Sequence, residues 1–113
     1  MNIGCDIVKI SRFKNKKRNF LEKVLSIEEI EIYEKYSNDC KLQFLAGRFA
    51  LKEAIIKTFC GKKIVLMNEI KILNDANNAL ICKYKKYKIK GSISHEKEYA
   101  IAYAILMEDV WVV

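Results

Sequence analysis

Apolar residues follow two different periods along this chain. From Phe44 to Phe59 (FLAGRFALKEAIIKTF) they recur at helical spacing. Leu45, Phe49, Ile56 and Phe59 form one stripe, no proline interrupts the run, and most of its residues favour helix. Gly47 is its weak point, and Gly61 just beyond the end is a stop signal. Ahead of it, SIEEIEIYEKY from Ser26 to Tyr36 opens with Ser26 and, three residues later, Glu29, a capping box. Ile27, Ile30 and Tyr33 then give an amphipathic helix. Ser37 to Asp39 is a break, with Asn38 or Asp39 as cap of the next helix. The two ends of the chain read with period two. Ile3 to Ile10 (IGCDIVKI) alternates and is rich in β-branched residues, which predicts a strand. After Gly61 come short β stretches at 64–67, 70–73, 80–84, 88–94 and 99–106, with 74–78 (NDANN) as a hairpin turn. The expected architecture is α+β: an N-terminal strand, helices, then a mostly antiparallel sheet packed on the long central helix.

At 113 residues one domain spanning the whole chain is expected, with a small core that association would help to complete. Hydrophobic residues make up 51%, too many for a disordered tail. No run of eighteen apolar residues exists to cross a membrane. No basic stretch precedes the first apolar residues, so no signal peptide is expected. The net charge of +7 and pI of about 9.2 call for an acidic partner: nucleic acid, an anionic membrane, phosphates or an acidic protein. Composition alone leans towards nucleic acid. Cys5, Cys40, Cys60 and Cys82 form no Cys-x-x-Cys pair, only His95 could join them, and the spacing fits no zinc template. Free, buried thiols in a cytoplasmic protein are expected.

Charge changes the picture most in the central helix, where Arg48, Lys52, Glu53 and Lys57 stand among small and apolar residues. Glu53 and Lys57 are four apart and share a face. They form either a surface ion pair or a metal-holding carboxylate with phosphate-holding cations around it. Asp6 is equally out of place in a strand: it is either a solvated position or a carboxylate aimed at a site. Arg12, Lys14, Lys16, Lys17 and Arg18 crowd the segment from Ser11 to Lys23. This is a solvated face or a docking patch for a polyanion or an acidic helix; Phe13 and Phe20 read as core anchors rather than base-stacking residues. Lys83, Lys85, Lys86, Lys88 and Lys90 around Tyr84 and Tyr87 read as a lysine-protected edge strand. In GSISH (Gly91 to His95), His95 ends a strand after Ser92-x-Ser94, a suitable place for a ligand-facing side chain.

Three stretches then coincide in order: IGCDIVKISR, FLAGRFALKEAIIK and SISHEKEYAIAYAI. Together they closely resemble the holo-[acyl-carrier-protein] synthase family, the small bacterial type of the 4'-phosphopantetheinyl transferase superfamily. The resemblance runs over nearly the whole chain. The Gly-Arg-Phe-Ala-x-Lys-Glu-Ala core is specific; Gly-x-Asp-Ile and Ser-x-Ser-His add weight by their order. The resemblance implies transfer of 4'-phosphopantetheine from coenzyme A to a serine of apo acyl carrier protein, serving fatty acid and lipid biosynthesis, with release of adenosine 3',5'-bisphosphate. It implies Mg²⁺ on Asp6 and Glu53, which agrees with the preference of Mg²⁺ for one or two carboxylates plus substrate phosphates. Glu53, or a water on the metal, would take the serine proton, with Asp6 a lesser choice. Lys57 would reach the pyrophosphate, Arg48 and His95 the 3'-phosphate end of coenzyme A, and Ser94 and Gly61 neighbouring contacts. A homotrimer with sites between subunits is implied, in which His95 meets Glu53 of another copy. Arg12, Lys16, Lys17 and Arg18 would dock the acidic carrier protein. Neither a membrane nor a nucleic acid is an expected partner, since no nucleic-acid motif is present and such a module would leave Asp6, Glu53 and His95 without a role. A catalytically degraded relative is the other rival, against which the retained carboxylates and Lys57 argue. Cys60-Gly61-Lys62 replaces the family's usual Gly-Thr-Gly, Asn77-Asn78-Ala79-Leu80 replaces Asn-Gly-Lys-Pro, and the segment before GSISH is short enough to lose a helix.

Overall fold

The computed structural model describes residues 1–107. Strand β1 (Asn2–Lys9) runs into a 3-10 turn (Ile10–Phe13) and two short helices, α1 (Arg18–Val24) and α2 (Ile27–Glu34). Helix α3 (Asn38–Thr58) follows, then a 3-10 turn (Met67–Glu69) and strands β2 (Lys71–Asn74), β3 (Leu80–Lys83), β4 (Ile89–His95) and β5 (Tyr99–Leu106). The strands form one antiparallel sheet in the order β1-β5-β4-β3-β2, so the N-terminal strand pairs with the last. None of the described helices is long and apolar enough to cross a membrane.

Helix α3 is clamped between the sheet and the smaller helices. Leu45, Ala46, Ala50, Leu51, Ala54 and Ile55 are fully buried along it. Of the expected stripe, Leu45 and Phe59 are buried, while Phe49 and Ile56 lie half-buried at its margins. The sheet meets the helix with small residues. Ala100, Ala102 and Ala104 of β5 point at it, flanked in register by Gly4 of β1 and Gly91 of β4. A methyl group on Gly4 would collide with the Ala54 carbonyl and come within 3.2 Å of Lys57 Cβ. The strand that carries Asp6 is thereby pressed against the turn of α3 that carries Glu53 and Lys57. At the far end of α3, Cys60 and Gly61 take positive φ values of 54° and 74°, so the glycine does stop the helix.

The capping box is present: the Glu29 N–H donates to Ser26 Oγ at 3.3 Å and the Ser26 N–H to Glu29 Oε1 at 3.0 Å. In the 74–78 turn, Asp75 Oδ1 accepts from the N–H groups of Asn77 and Ala79 at 2.8 and 2.9 Å. Several expectations need correction. Helix α3 begins at Asn38 rather than Phe44, and its N-cap is Ser37, without a side-chain cap bond, rather than Asn38 or Asp39. The stretch 64–67 is not a strand: Val65 is buried in the core, but Ile64 is 90% exposed and the run pairs with no strand. The lysine-rich segment is not at a sheet edge, because β1 and β2 hold the edges; its lysines are nevertheless exposed. Only Cys82 is a buried thiol; Cys5, Cys40 and Cys60 are exposed. Between β2 and β4 there is no helix, in keeping with the shortened segment.

Candidate functional site

Helix α3 carries its charged residues into two different settings. Towards its C-terminal end, Lys57 Nζ donates to the Cys5 carbonyl at 2.8 Å and to Asp6 Oδ1 at 3.2 Å. Asp6 is 18% exposed and Lys57 51%. Of the two readings of Glu53 and Lys57, the surface ion pair is not formed; β1 brings Asp6 to the lysine instead. The carboxylate of half-buried Glu53 has no hydrogen-bond or ion-pair partner among the described residues. Asp6 and Glu53 thus offer oxygen ligands near a half-exposed cation. No cluster of three or more His, Cys, Asp or Glu able to hold a metal exists among the described residues. The donor set fits a Mg²⁺ ion completed by substrate oxygens and water, not a site closed by protein alone.

One turn and more towards the N-terminus of α3, Arg48 sits at the wall of a cavity of about 450 Å³ that Tyr36, Phe44, Asn74, Leu80 and His95 also line. The guanidinium lies over the Phe44 ring at 4.4 Å, and its Nη2 donates to Asn74 Oδ1 at 3.3 Å. Its Nε is 3.6 Å from Glu29 Oε2. Burial pulls the Arg48 pKa down and Glu29 pushes back; arginine stays charged regardless. Register explains why His95 joins it. His95 pairs with Ala100, which pairs with Val8, and both of these face the core. His95 is thus on the α3 side of the sheet, at the end of β4. Ser94, one residue earlier, points to the opposite side, in line with Ile101 and Ile7. Within one copy the structure puts Arg48 and His95 on one cavity and Asp6 on Lys57, with Glu53 one turn before Lys57 on α3. It leaves Ser94 on the other sheet face and Gly61 exposed in the turn after α3.

The pairing of Lys52 with Glu29 was not read from the sequence. Lys52 and Glu29 are both fully buried and paired at 2.6 Å, and Lys52 Nζ also donates to the Val24 carbonyl at 2.7 Å. Burial lowers the Lys52 pKa, with Glu29 opposing. The available signal was the spacing of Lys52 four residues after Arg48, which puts both on one face. The capping box had already accounted for Glu29, which hid its second partner.

The basic cluster is ordered by aromatic rings. The Arg12 guanidinium is 5.6 Å from the Phe13 ring centre and 5.8 Å from that of Phe49, and Lys16 Nζ is 4.7 Å from that of Phe20. Lys17 is exposed at the cap of α1. Arg18 is engaged elsewhere, with Glu22 at 3.1 Å and Glu34 at 3.0 Å.

A strand carboxylate bonded to a helix lysine, a second carboxylate one turn before that lysine, and an arginine-lined cavity further along the same helix make up the candidate site. The family model for the 4'-phosphopantetheinyl transferase superfamily matches residues 2–104. A holo-[acyl-carrier-protein] synthase of Mycoplasma mycoides subsp. mycoides SC is 44% identical over 96% of this chain and 96% of its own. The crystal structure of the Bacillus anthracis holo-(acyl-carrier-protein) synthase in complex with CoA (3',5'-ADP) superimposes with a TM-score of 0.84, at 32% identity over 93% of this chain and 94% of that one. The Helicobacter pylori holo-[acyl-carrier-protein] synthase in complex with coenzyme A gives 0.78, at 34% identity over 92% and 98%. The chain therefore belongs to the 4'-phosphopantetheinyl transferase superfamily, and within it to the holo-[acyl-carrier-protein] synthases.

Proposed function

We propose that this enzyme moves 4'-phosphopantetheine from coenzyme A to a serine of apo acyl carrier protein with the help of Mg²⁺, releasing adenosine 3',5'-bisphosphate and so supplying the holo carrier for fatty acid and lipid synthesis. The observation that carries the proposal is Asp6 bonded to Lys57 one turn after the unpartnered Glu53, on the helix that also holds Arg48 about 7.5 Å from Glu53 along its axis. The coenzyme A complexes of the Bacillus anthracis and Helicobacter pylori proteins support it.

In this reading Asp6 and Glu53 hold Mg²⁺, which when bound offsets the charge of the pyrophosphate. Lys57, half exposed, turns from Asp6 to the pyrophosphate and stabilises charge on the leaving side. Arg48 and His95 hold the 3'-phosphate end; the planar fork of arginine suits it to that group. The serine hydroxyl attacks the phosphorus that carries pantetheine, the bond to the adenosine-side phosphate breaks, and the hydroxyl proton passes to a base. Glu53 is suited to that role because its carboxylate has no protein partner to release. Arg12, Lys16 and Lys17 face solvent and would meet an acidic carrier protein. Arg18 contributes less, since two carboxylates already engage it.

Association into a homotrimer also belongs to this reading. The face of β1 and β5 that turns away from α3 exposes Ile3, Ile7, Tyr99 and Tyr103, at 71, 59, 41 and 56%. A contiguous apolar face of this kind is characteristic of an interface. Ser94 and His95 lie at its margin with Ile7, Tyr99 and Ile101, where a second copy could bring its Glu53.

The test is intact-mass spectrometry of apo acyl carrier protein incubated with this enzyme, coenzyme A and Mg²⁺, with an EDTA control. A gain of one phosphopantetheine that EDTA removes is the expected result. No gain with several carriers and a folded enzyme would overturn the proposal.

A further inference from the structure

The roles assigned so far leave one buried charged pair unused, Glu29 with Lys52. A buried ion pair is often no more stabilising than apolar residues of the same volume, so its presence asks for a reason besides stability. The two oxygens of Glu29 are unequal. Oε1 accepts from the Ser26 N–H at 3.0 Å and from Lys52 Nζ at 2.6 Å. Oε2 accepts nothing, and the nearest donor, Arg48 Nε at 3.6 Å, is itself buried without a hydrogen bond. Lys52 is anchored from its other side by the Val24 carbonyl. Glu29 therefore cannot turn towards Arg48 without giving up both the helix cap and Lys52. The other groups that touch the guanidinium, the Phe44 ring and Asn74 Oδ1, are neutral, and the nearby Lys52 cation repels it. One carboxylate thus serves two cations, and the surplus positive charge sits on Arg48, at the wall of the cavity it shares with His95.

We infer that Glu29 and Lys52 are positioning residues for Arg48: Lys52 ties down the Glu29 carboxylate so that it orients the guanidinium without neutralising it, leaving a fixed, half-paired cation for a phosphate monoester in the cavity. The inference rests on reading that cavity as the seat of the 3'-phosphate of coenzyme A. Without Lys52, Glu29 is released to close the 3.6 Å gap and to grip Arg48 through two parallel hydrogen bonds, the preferred carboxylate–arginine geometry. That would draw the guanidinium out of the cavity.

The experiment is calorimetric binding of two probes that differ only in the 3'-phosphate, adenosine 3',5'-bisphosphate and adenosine 5'-monophosphate. The readout is the preference for the bisphosphate, alongside the melting temperature. The wild type should prefer the bisphosphate, and Arg48→Ala should erase that preference. Lys52→Met should weaken bisphosphate binding on the order of tenfold, the scale of one hydrogen bond to a charged group, and leave monophosphate binding unchanged. Glu29→Gln keeps the shape and the oxygen that accepts from Ser26 and Lys52, and should lower the preference likewise; it decides the matter if Lys52→Met does not fold. If the wild type shows no preference, or Arg48→Ala retains it, the reading of the cavity fails. If Arg48→Ala erases the preference but a folded Lys52→Met or Glu29→Gln keeps it at the wild-type level, the positioning role is overturned.

Discussion

Lys52 and Lys57 belong to the same helix, yet one is sealed and the other half exposed. Five residues of helix turn a side chain by about 140°, and that rotation decides which neighbour each lysine meets. Lys52 meets the cap of α2 and a carboxylate that is itself buried. Lys57 meets β1, where Asp6 keeps some contact with water. The first pair is held from three sides and has nowhere to go. The second is a 3.2 Å contact at a half-exposed lysine that also bonds the Cys5 carbonyl at 2.8 Å, beside an unpartnered Glu53. The same residue types thus divide into a fixed support and a chemical site according to what packs against them.

The sharpest way to break this contrast is to remove a carboxylate from each half. Glu29→Leu leaves Lys52 and Arg48 buried without their counter-charge and strips the Ser26 N–H of its acceptor. It should cost about 3–5 kcal/mol of stability, read from urea denaturation midpoints. A loss under about 1 kcal/mol would mean that the pair is solvated in solution, not sealed. Glu53→Gln should do the reverse. Its carboxylate supports no contact, so the denaturation midpoint should stay put. Transfer to carrier protein should fall on the order of 10²–10³-fold, the size typical of a lost electrostatic partner in a transition state. Unchanged turnover would remove Glu53 from the site.

The contrast also marks how far the sequence could be read. Strand β1, the core of α3, the capping box, the 74–78 turn and the final strand were all visible, because each is written in local spacing or turn chemistry. The order of the three motifs pointed to the superfamily; Arg48 and His95 line one cavity, and Asp6 bonds Lys57. What stayed hidden was tertiary. Nothing in the sequence around Lys57 says that Gly4 lets β1 close in and present Asp6 to it, so the lysine's partner could not be read locally. Glu29 had one role within its own helix, and the second came from a residue 23 positions away. The 64–67 run has the composition of a strand but no partner, and pairing is what makes a strand.

A smaller effect is expected at the other face of the protein, where Arg12 and Lys16 rest on the Phe13, Phe20 and Phe49 rings. Replacing both by glutamate should slow association with an acidic carrier protein about tenfold at low salt and less at high salt, with coenzyme A binding unchanged. Surface plasmon resonance at two ionic strengths measures this; an equal loss for carrier and coenzyme A would argue against a docking patch.

The smallest effect concerns Cys82, which lies next to the buried cluster and can report on it. Burial lifts its thiol from the usual 9.0 to about 11, with the nearby Arg48 and Lys52 cations pulling the other way. A thiol whose folded pKa is raised loses its proton first in the unfolded chain. Its contribution to stability is therefore complete below pH 9.0 and is lost as pH climbs towards about 11. Cys82→Val should flatten that part of the alkaline decline in melting temperature. In the wild type at neutral pH, iodoacetamide should modify the exposed Cys40 and Cys60 quickly and Cys82 only on unfolding, as counted by intact mass. If copies associate through the open sheet face as proposed, Cys5, opposite Tyr103 there, should pass from reactive to protected as protein concentration rises. Fast labelling of Cys82 in the folded protein would show that the cluster around Glu29 opens to water, and the distinction between the two halves of α3 would then be one of degree.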